Sequence, residues 1–164
     1  MVASRMLSYP DASLLDQRAV LEEAATGLPR DVRPNLLRFL EHVAATPLPG
    51  LEDDYVRTFD LKRRHCLYLT YYSCGDTRKR GAALLEFKRA YEAAGIPLDE
   101  TQRELPDHLA VVLEFSAAGD GETADQLLGS HRAGIEALNH ELTKCGSPYA
   151  DVLHAVCATL PKET

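Results

Sequence analysis

The 164 residues are 45% hydrophobic and 26% charged, which fits one folded domain and excludes a disordered or collagen-like chain. A net charge of −7 argues against a general nucleic-acid binder. That total is unevenly spread: residues 55–91 hold nine of the basic residues and three of the acidic ones, so this stretch is +6, the remainder is −13, and seven of the eleven aromatics lie within it.

Apolar residues recur at helical spacing along nearly the whole chain. Leu14, Leu21, Ala24 and Leu28 mark a first helix, opened by Pro10-Asp11 and closed by Gly27 and Pro29. Leu36, Leu37, Leu40, Val43 and Ala44 mark a second, which stops before Pro47-Leu48-Pro49-Gly50. A third starts near Glu52 and sets Tyr55 and Phe59 one turn apart. Residues 66–72 have the Thr and Tyr content of a strand, but a lone strand leaves its edge groups unpaired, so they are read as a buried helix. Asp76 is positioned to cap the next helix, whose stripe is Leu84, Phe87, Tyr91 and Ala94 and which ends at Gly95 and Pro97. Residues 96–106 form a polar connection containing Asp99, Glu100 and Gln102. Asp107 then caps a helix carrying Leu109, Val112, Leu113 and Ser116 and ending at Gly119. Ala124, Leu127, Leu128, His131, Ile135, Leu138 and Leu142 lie on one stripe and predict a single helix from about 121 to 144. A last helix opens at Pro148 and buries Val152, Leu153, Val156, Cys157 and Leu160. The expectation is an all-α fold: one domain over 1–164, a bundle of about eight helices joined by short loops.

Several chemistries find no footing. The histidines at 42, 65, 108, 131, 140 and 154 form no close His-x₃-His pair, and there is no Cys-x₂-Cys, so no metal site is expected. Neither a Gly-rich phosphate loop nor a serine nucleophile elbow occurs. Cys66, Cys74, Cys145 and Cys157 are too few for a secreted disulfide framework, which points to free thiols in a reducing compartment. No signal segment is visible, and no apolar run approaches the roughly 20 residues of a membrane span. A soluble, cytoplasmic protein without membrane insertion is expected.

Two stretches remain. Tyr55, Phe59, Tyr68, Tyr71 and Tyr72 combine apolar bodies with hydroxyls, which suits a groove that is dry in the middle and wet at its rim. Such a groove accepts the apolar face of a partner helix. The plainer alternative is that these rings fill the core and the basic residues form a solvated face. Stacking of nucleic-acid bases is a third reading, and the surrounding −13 counts against it. In Glu104-Leu105-Pro106-Asp107-His108, Pro106 turns the chain and sets Asp107 and His108 at the positive end of the following helix. This is either a cap with a neighbouring histidine or a polar hinge whose carboxylates face a bound cation or arginine.

Four motifs in order then resemble one family. Arg5-Met6-Leu7-Ser8-Tyr9-Pro10-Asp11 resembles the opening of the NarJ family of nitrate reductase assembly chaperones, part of the larger TorD and DmsD group. Residues 55–60 resemble the family's Y-x-x-x-F-D helix, residues 75–81 its glycine-flanked arginine turn, and residues 104–109 its ELPDHL segment. The resemblance covers essentially the whole chain. It implies an all-helical fold, no catalysis and no stably bound cofactor. It also implies a cytoplasmic chaperone that binds the N-terminal peptide of the nitrate reductase alpha subunit. The chaperone would keep the apo-enzyme competent for molybdenum cofactor insertion before membrane docking. Cofactor-synthesis proteins join the candidate partners; nucleic acid does not. The alternative is a helical adaptor for another molybdoenzyme client.

Carried over residue by residue, the resemblance points to Tyr55, Thr58, Phe59, Glu104, Asp107 and His108 as peptide-binding residues, and also to Tyr68, Tyr71 and Gly81. A bound amphipathic helix would set its apolar face on the aromatic residues and its basic end toward Asp60, Glu104 and Asp107. His108 would make binding pH-dependent. A small enzyme using Asp107 and His108 would need a nucleophile or cofactor that the sequence does not offer. Two departures stand out. Thr58 occupies a position where relatives often carry leucine, and the family's acidic C-terminal tail is missing after Pro161-Lys162-Glu163-Thr164.

Overall fold

Ten α-helices form among the described residues of the computed structural model, which are all except Glu100, Asp120, Glu163 and Thr164. They are α1 (Val2–Leu7), α2 (Ala12–Thr26), α3 (Arg33–Ala45), α4 (Leu48–Tyr55), α5 (Leu69–Cys74), α6 (Lys79–Ala93), α7 (Leu109–Ala118), α8 (Gly121–Ser130), α9 (Arg132–Lys144) and α10 (Tyr149–Thr159). The all-α expectation holds. Glu100 of the polar connection, and Glu163 and Thr164 of the chain's end, lie outside the described residues.

The helix number exceeds the expectation for two reasons. Helix α1 is too short to display a period, yet it buries Val2, Met6 and Leu7 and is tied to α7 by the Ser4 hydroxyl, which donates to the Ala110 carbonyl at 2.6 Å. The long stripe over 121–144 breaks at His131 (φ −109°, ψ 14°) into α8 and α9. Its apolar positions keep helical spacing across the break, so periodicity does not reveal it.

Helix α10 packs between α3 and α9, α2 covers α3, and α1 lies on α7. Leu40, Leu138, Leu142, Val152 and Leu153 are fully buried at this centre. Asp11 caps α2 by accepting the Leu14 N–H at 3.0 Å, and Arg5 binds the same carboxylate at 2.6 Å, which clamps α1 to α2.

Three expectations are corrected around the site. Helix α4 begins at Leu48 rather than near Glu52, because Pro49 sits in the first turn, where a missing N–H costs nothing. It runs into a π-helical turn, Val56–Asp60, closed by the Leu61 N–H on the Val56 carbonyl at 3.2 Å. Residues 66–72 are not one helix. Tyr68 is extended and forms an isolated antiparallel bridge with His108. The Leu69 N–H donates to the Asp107 carbonyl at 3.1 Å, and the Leu109 N–H donates to the Leu67 carbonyl at 2.9 Å. The strand-forming composition therefore finds a partner in the 104–109 segment, far away in sequence. Asp76 does not cap α6, which starts at Lys79 without a side-chain cap. The chain enters that helix through Gly75, whose φ of +57° favours glycine, and through the Thr77 hydroxyl donating to the Cys74 carbonyl at 2.7 Å.

Candidate functional site

The crossing of Cys66–Leu69 with Pro106–Leu109 builds one wall of a groove of about 760 Å³. The end of α4 and the π-helical turn build the opposite wall and floor. Tyr9, Tyr55, Phe59, Tyr68 and Tyr71 supply its aromatic surface. Asp60, Asp76 and Glu104 contribute carboxylates, and Lys62, Arg63 and Arg103 contribute cations.

Tyr55 and Phe59 are nearly buried, 5% and 9% exposed, and form the floor. Their ring centroids lie 4.9 Å apart, and both pack on Tyr149, at 5.9 and 4.7 Å. The Tyr55 hydroxyl donates to the Leu7 carbonyl at 2.9 Å, which anchors the floor to α1. Tyr9 stands over Tyr55 edge-on at 5.4 Å and is 47% exposed. Burial raises the Tyr55 and Tyr68 phenols above the ordinary tyrosine value, with Glu104 pushing both the same way. The phenols therefore stay protonated; with their O–H groups committed to the Leu7 carbonyl and to Glu104, they offer ring faces rather than charge.

The other wall is held by a hydrogen-bond relay. Asp107 is fully buried; its Oδ2 accepts the Thr70 N–H at 3.0 Å and the Thr70 hydroxyl at 2.6 Å. Asp107 thus caps α5, not α7 as the local sequence predicts. The α7 cap is His108, whose Nδ1 accepts the Ala110 N–H at 3.1 Å. Arg80 donates to the Thr70 hydroxyl at 3.1 Å and lies 5.7 Å from the Tyr68 ring centroid. The Tyr68 hydroxyl donates to Glu104, and His108 Nε2 faces the same carboxylate at 4.0 Å. Burial pulls the His108 imidazole below the ordinary histidine value, against the pull of Glu104 and Asp107. Geometry agrees, because a nitrogen that accepts the Ala110 N–H carries no proton.

The groove brings together Tyr55, Phe59, Asp60, Tyr68, Tyr71, Glu104 and His108 from the sequence-predicted set. Three predicted residues stand elsewhere. Thr58 is buried behind the floor, and its carbonyl receives a hydrogen bond from His65 Nδ1 at 2.9 Å. Asp107 lies within the wall and reaches the groove only through its neighbours. Gly81 is exposed on α6, and a Cβ there would meet nothing within 4 Å. Sequence reasoning missed Tyr9, Asp76 and Arg103 as lining residues. Tyr9 carries a usable signal, because it belongs to the first of the four motifs. Asp76 carries the same kind of signal, because it lies in the motif over residues 75–81, but it reads there only as a helix cap; Arg103 lies in the connection before α7 and carries none.

His108 Nδ1 is taken up by the helix cap, and Nε2 faces Glu104 at 4.0 Å. The Cys66 thiol is pushed up by burial and is no ready nucleophile. Among the described residues no group of three or more His, Cys, Asp or Glu side chains gathers to hold a metal ion.

The profile of the nitrate reductase delta subunit family matches residues 21–155. The chain belongs to that family. It is 38% identical to the "Probable nitrate reductase molybdenum cofactor assembly chaperone NarJ" of Bacillus subtilis over 96% of this chain and 85% of that protein. It is 34% identical to the NarJ chaperone of Escherichia coli K12 over 71% of this chain and 50% of that protein. The "nitrate reductase-like protein NarX" of Mycobacterium tuberculosis is 39% identical over 96% of this chain, which spans only 23% of that longer relative. The NarJ resemblance carried by the four motifs is thereby established. The two NarJ relatives are named for assembly and not for turnover, which agrees with the expectation of a non-enzyme. No helix among the described residues is long and apolar enough to cross a membrane.

Proposed function

We propose that this protein is a cytoplasmic assembly chaperone for nitrate reductase. It binds the N-terminal segment of the catalytic alpha subunit in the aromatic groove and holds the apo-subunit until its molybdenum cofactor is inserted. The cofactor is the client's cargo, and the chaperone keeps none of it.

The observation that carries this reading is the composition of the groove. Five aromatic residues and three carboxylates, with three cations, line one space of about 760 Å³. Protonated phenols and the Phe59 ring receive the apolar face of a helix, while Asp60, Asp76 and Glu104 receive basic residues at its edge. Ordering a flexible segment costs about 2–5 kcal/mol of the gross interaction, which apolar contacts must exceed. The names of the two NarJ relatives supply the client class.

The test is capture of the client. Tagged protein, expressed with nitrate reductase in cells unable to make the molybdenum cofactor, is expected to co-purify with the alpha subunit. Restoring cofactor synthesis is expected to release it. Equal recovery of cofactor-free and mature alpha subunit contradicts the proposal, as does capture of a different molybdoenzyme in its place.

A further inference from the structure

Beside the groove lies a second concavity of about 520 Å³, where the 3-10 turn Arg63–His65 meets the C-terminal end of α9. Lys62, Arg63, Arg64 and Lys144 surround it, and Glu141 is the one carboxylate among its lining residues. All four cationic residues are exposed, and none is paired with a carboxylate among the described residues. Lys144 has a local reason to be there, since it sits in the last turn of α9, where the helix dipole favours a cation. The other three have none. In a chain of net charge −7, four like charges around one hollow repel each other unless an anionic partner arrives.

We propose that this hollow receives an acidic stretch of the same polypeptide whose apolar segment occupies the groove. The proposal rests on the reading of the groove as a polypeptide site. Lys62 and Arg63 line both spaces, so a chain leaving the groove on that side passes over Arg64 and Lys144. The chemistry favours a run of carboxylates over a small anion. Small anions are held by convergent, fixed donors such as backbone N–H nests. Here the donors are exposed lysines and arginines on flexible stems, which suit a shape-tolerant chain of negative charge. The partner segment therefore has a charge order: basic residues meet Asp60, Asp76 and Glu104, apolar residues meet the aromatic floor, and acidic residues follow beyond Arg63.

The test is calorimetry on the full chain with the alpha-subunit N-terminal peptide. The peptide is used unextended, with an oligoglutamate extension at either end, and with matched oligoglutamine extensions. Glutamate at one end only is expected to tighten binding about tenfold over glutamine, the scale of two or three exposed charge pairs. The gain of glutamate over glutamine is expected to vanish in Arg64→Glu/Lys144→Glu, which leaves every groove-lining residue in place. It is expected to persist in Arg78→Glu/Lys79→Glu, a charge reversal at the exposed start of α6. A gain that survives Arg64→Glu/Lys144→Glu overturns the proposal. So does the absence of any gain while the unextended peptide still binds. Failure of the unextended peptide to bind overturns the groove reading instead, and free oligoglutamate then tests the hollow alone. Binding that is lost in Arg64→Glu/Lys144→Glu supports the acidic-chain site. No binding, or binding of inorganic phosphate only, overturns it.

Discussion

His108 donates no proton to its own helix cap; its Nδ1 accepts the Ala110 N–H, which requires that nitrogen to be unprotonated. Burial lowers the imidazole pKa, with Glu104 and Asp107 opposing. His131, packed 5.1 Å from Phe87, is lowered by burial in the same way. For a histidine whose folded value lies below its unfolded value of about 6.5, acid favours the unfolded chain. The stabilisation is complete above that unfolded value and is lost as pH falls through it toward the folded value. The thermal midpoint is therefore expected to drop between about pH 7.5 and pH 5.5, the window around the reference histidine pKa. His108→Asn keeps an acceptor at the cap without titrating there, and is expected to flatten the drop. An unchanged slope in that variant contradicts the assignment. At this scale the sequence is legible only in part. Pro106 announces a turn and a helix start, but either Asp107 or His108 can serve as the cap. The choice is made by Thr70, which draws the carboxylate toward α5 across 37 residues of chain.

Helix α9 approaches α5 at Gly134, where a Cβ would lie 2.8 Å from both Cβ and Cγ of Tyr72. Those atoms are the base of the side chain and cannot swing aside, and the Tyr72 hydroxyl is itself fixed on the Cys66 carbonyl at 2.7 Å. Gly134→Ala is therefore expected to destabilise the fold by about 1–3 kcal/mol in denaturant unfolding. That cost outweighs the roughly 1 kcal/mol by which alanine ordinarily improves on glycine inside a helix. Unchanged or increased stability contradicts this packing. The same scale shows why most helices were readable and two features were not. Helices α2, α3, α7 and α10 follow from apolar spacing and end signals in their own residues. The break at His131 does not, because the apolar spacing runs through it unchanged, and the extended Tyr68 does not, because its partner, His108, is distant in sequence. A rule that rejects a lone strand fails where a single bridge supplies the partner.

Across the whole molecule, the +6 segment separates into different jobs. Of its aromatics, Tyr55, Phe59, Tyr68 and Tyr71 line the groove, whereas Phe87 and Tyr91 are buried core and Tyr72 packs against it. Tyr55 and Phe59 do both, since they belong to the buried core and also line the groove. Of its cations, Lys62, Arg63 and Arg64 edge the second hollow, while Arg80 braces the wall over Tyr68. The near-complete burial of Tyr55 and Phe59 makes alanine there a test of folding as much as of binding. Tyr9 and Tyr71 are better probes, because they line the groove while keeping solvent exposure. The most direct measurement is calorimetric titration of the alpha-subunit N-terminal peptide into wild type, Tyr9→Ala and Tyr71→Ala. Saturable binding by the wild type, weakened by more than about 1 kcal/mol in each variant with helical content intact, is the predicted result. Full affinity in both variants, or no binding by the wild type, would contradict the groove as the client site.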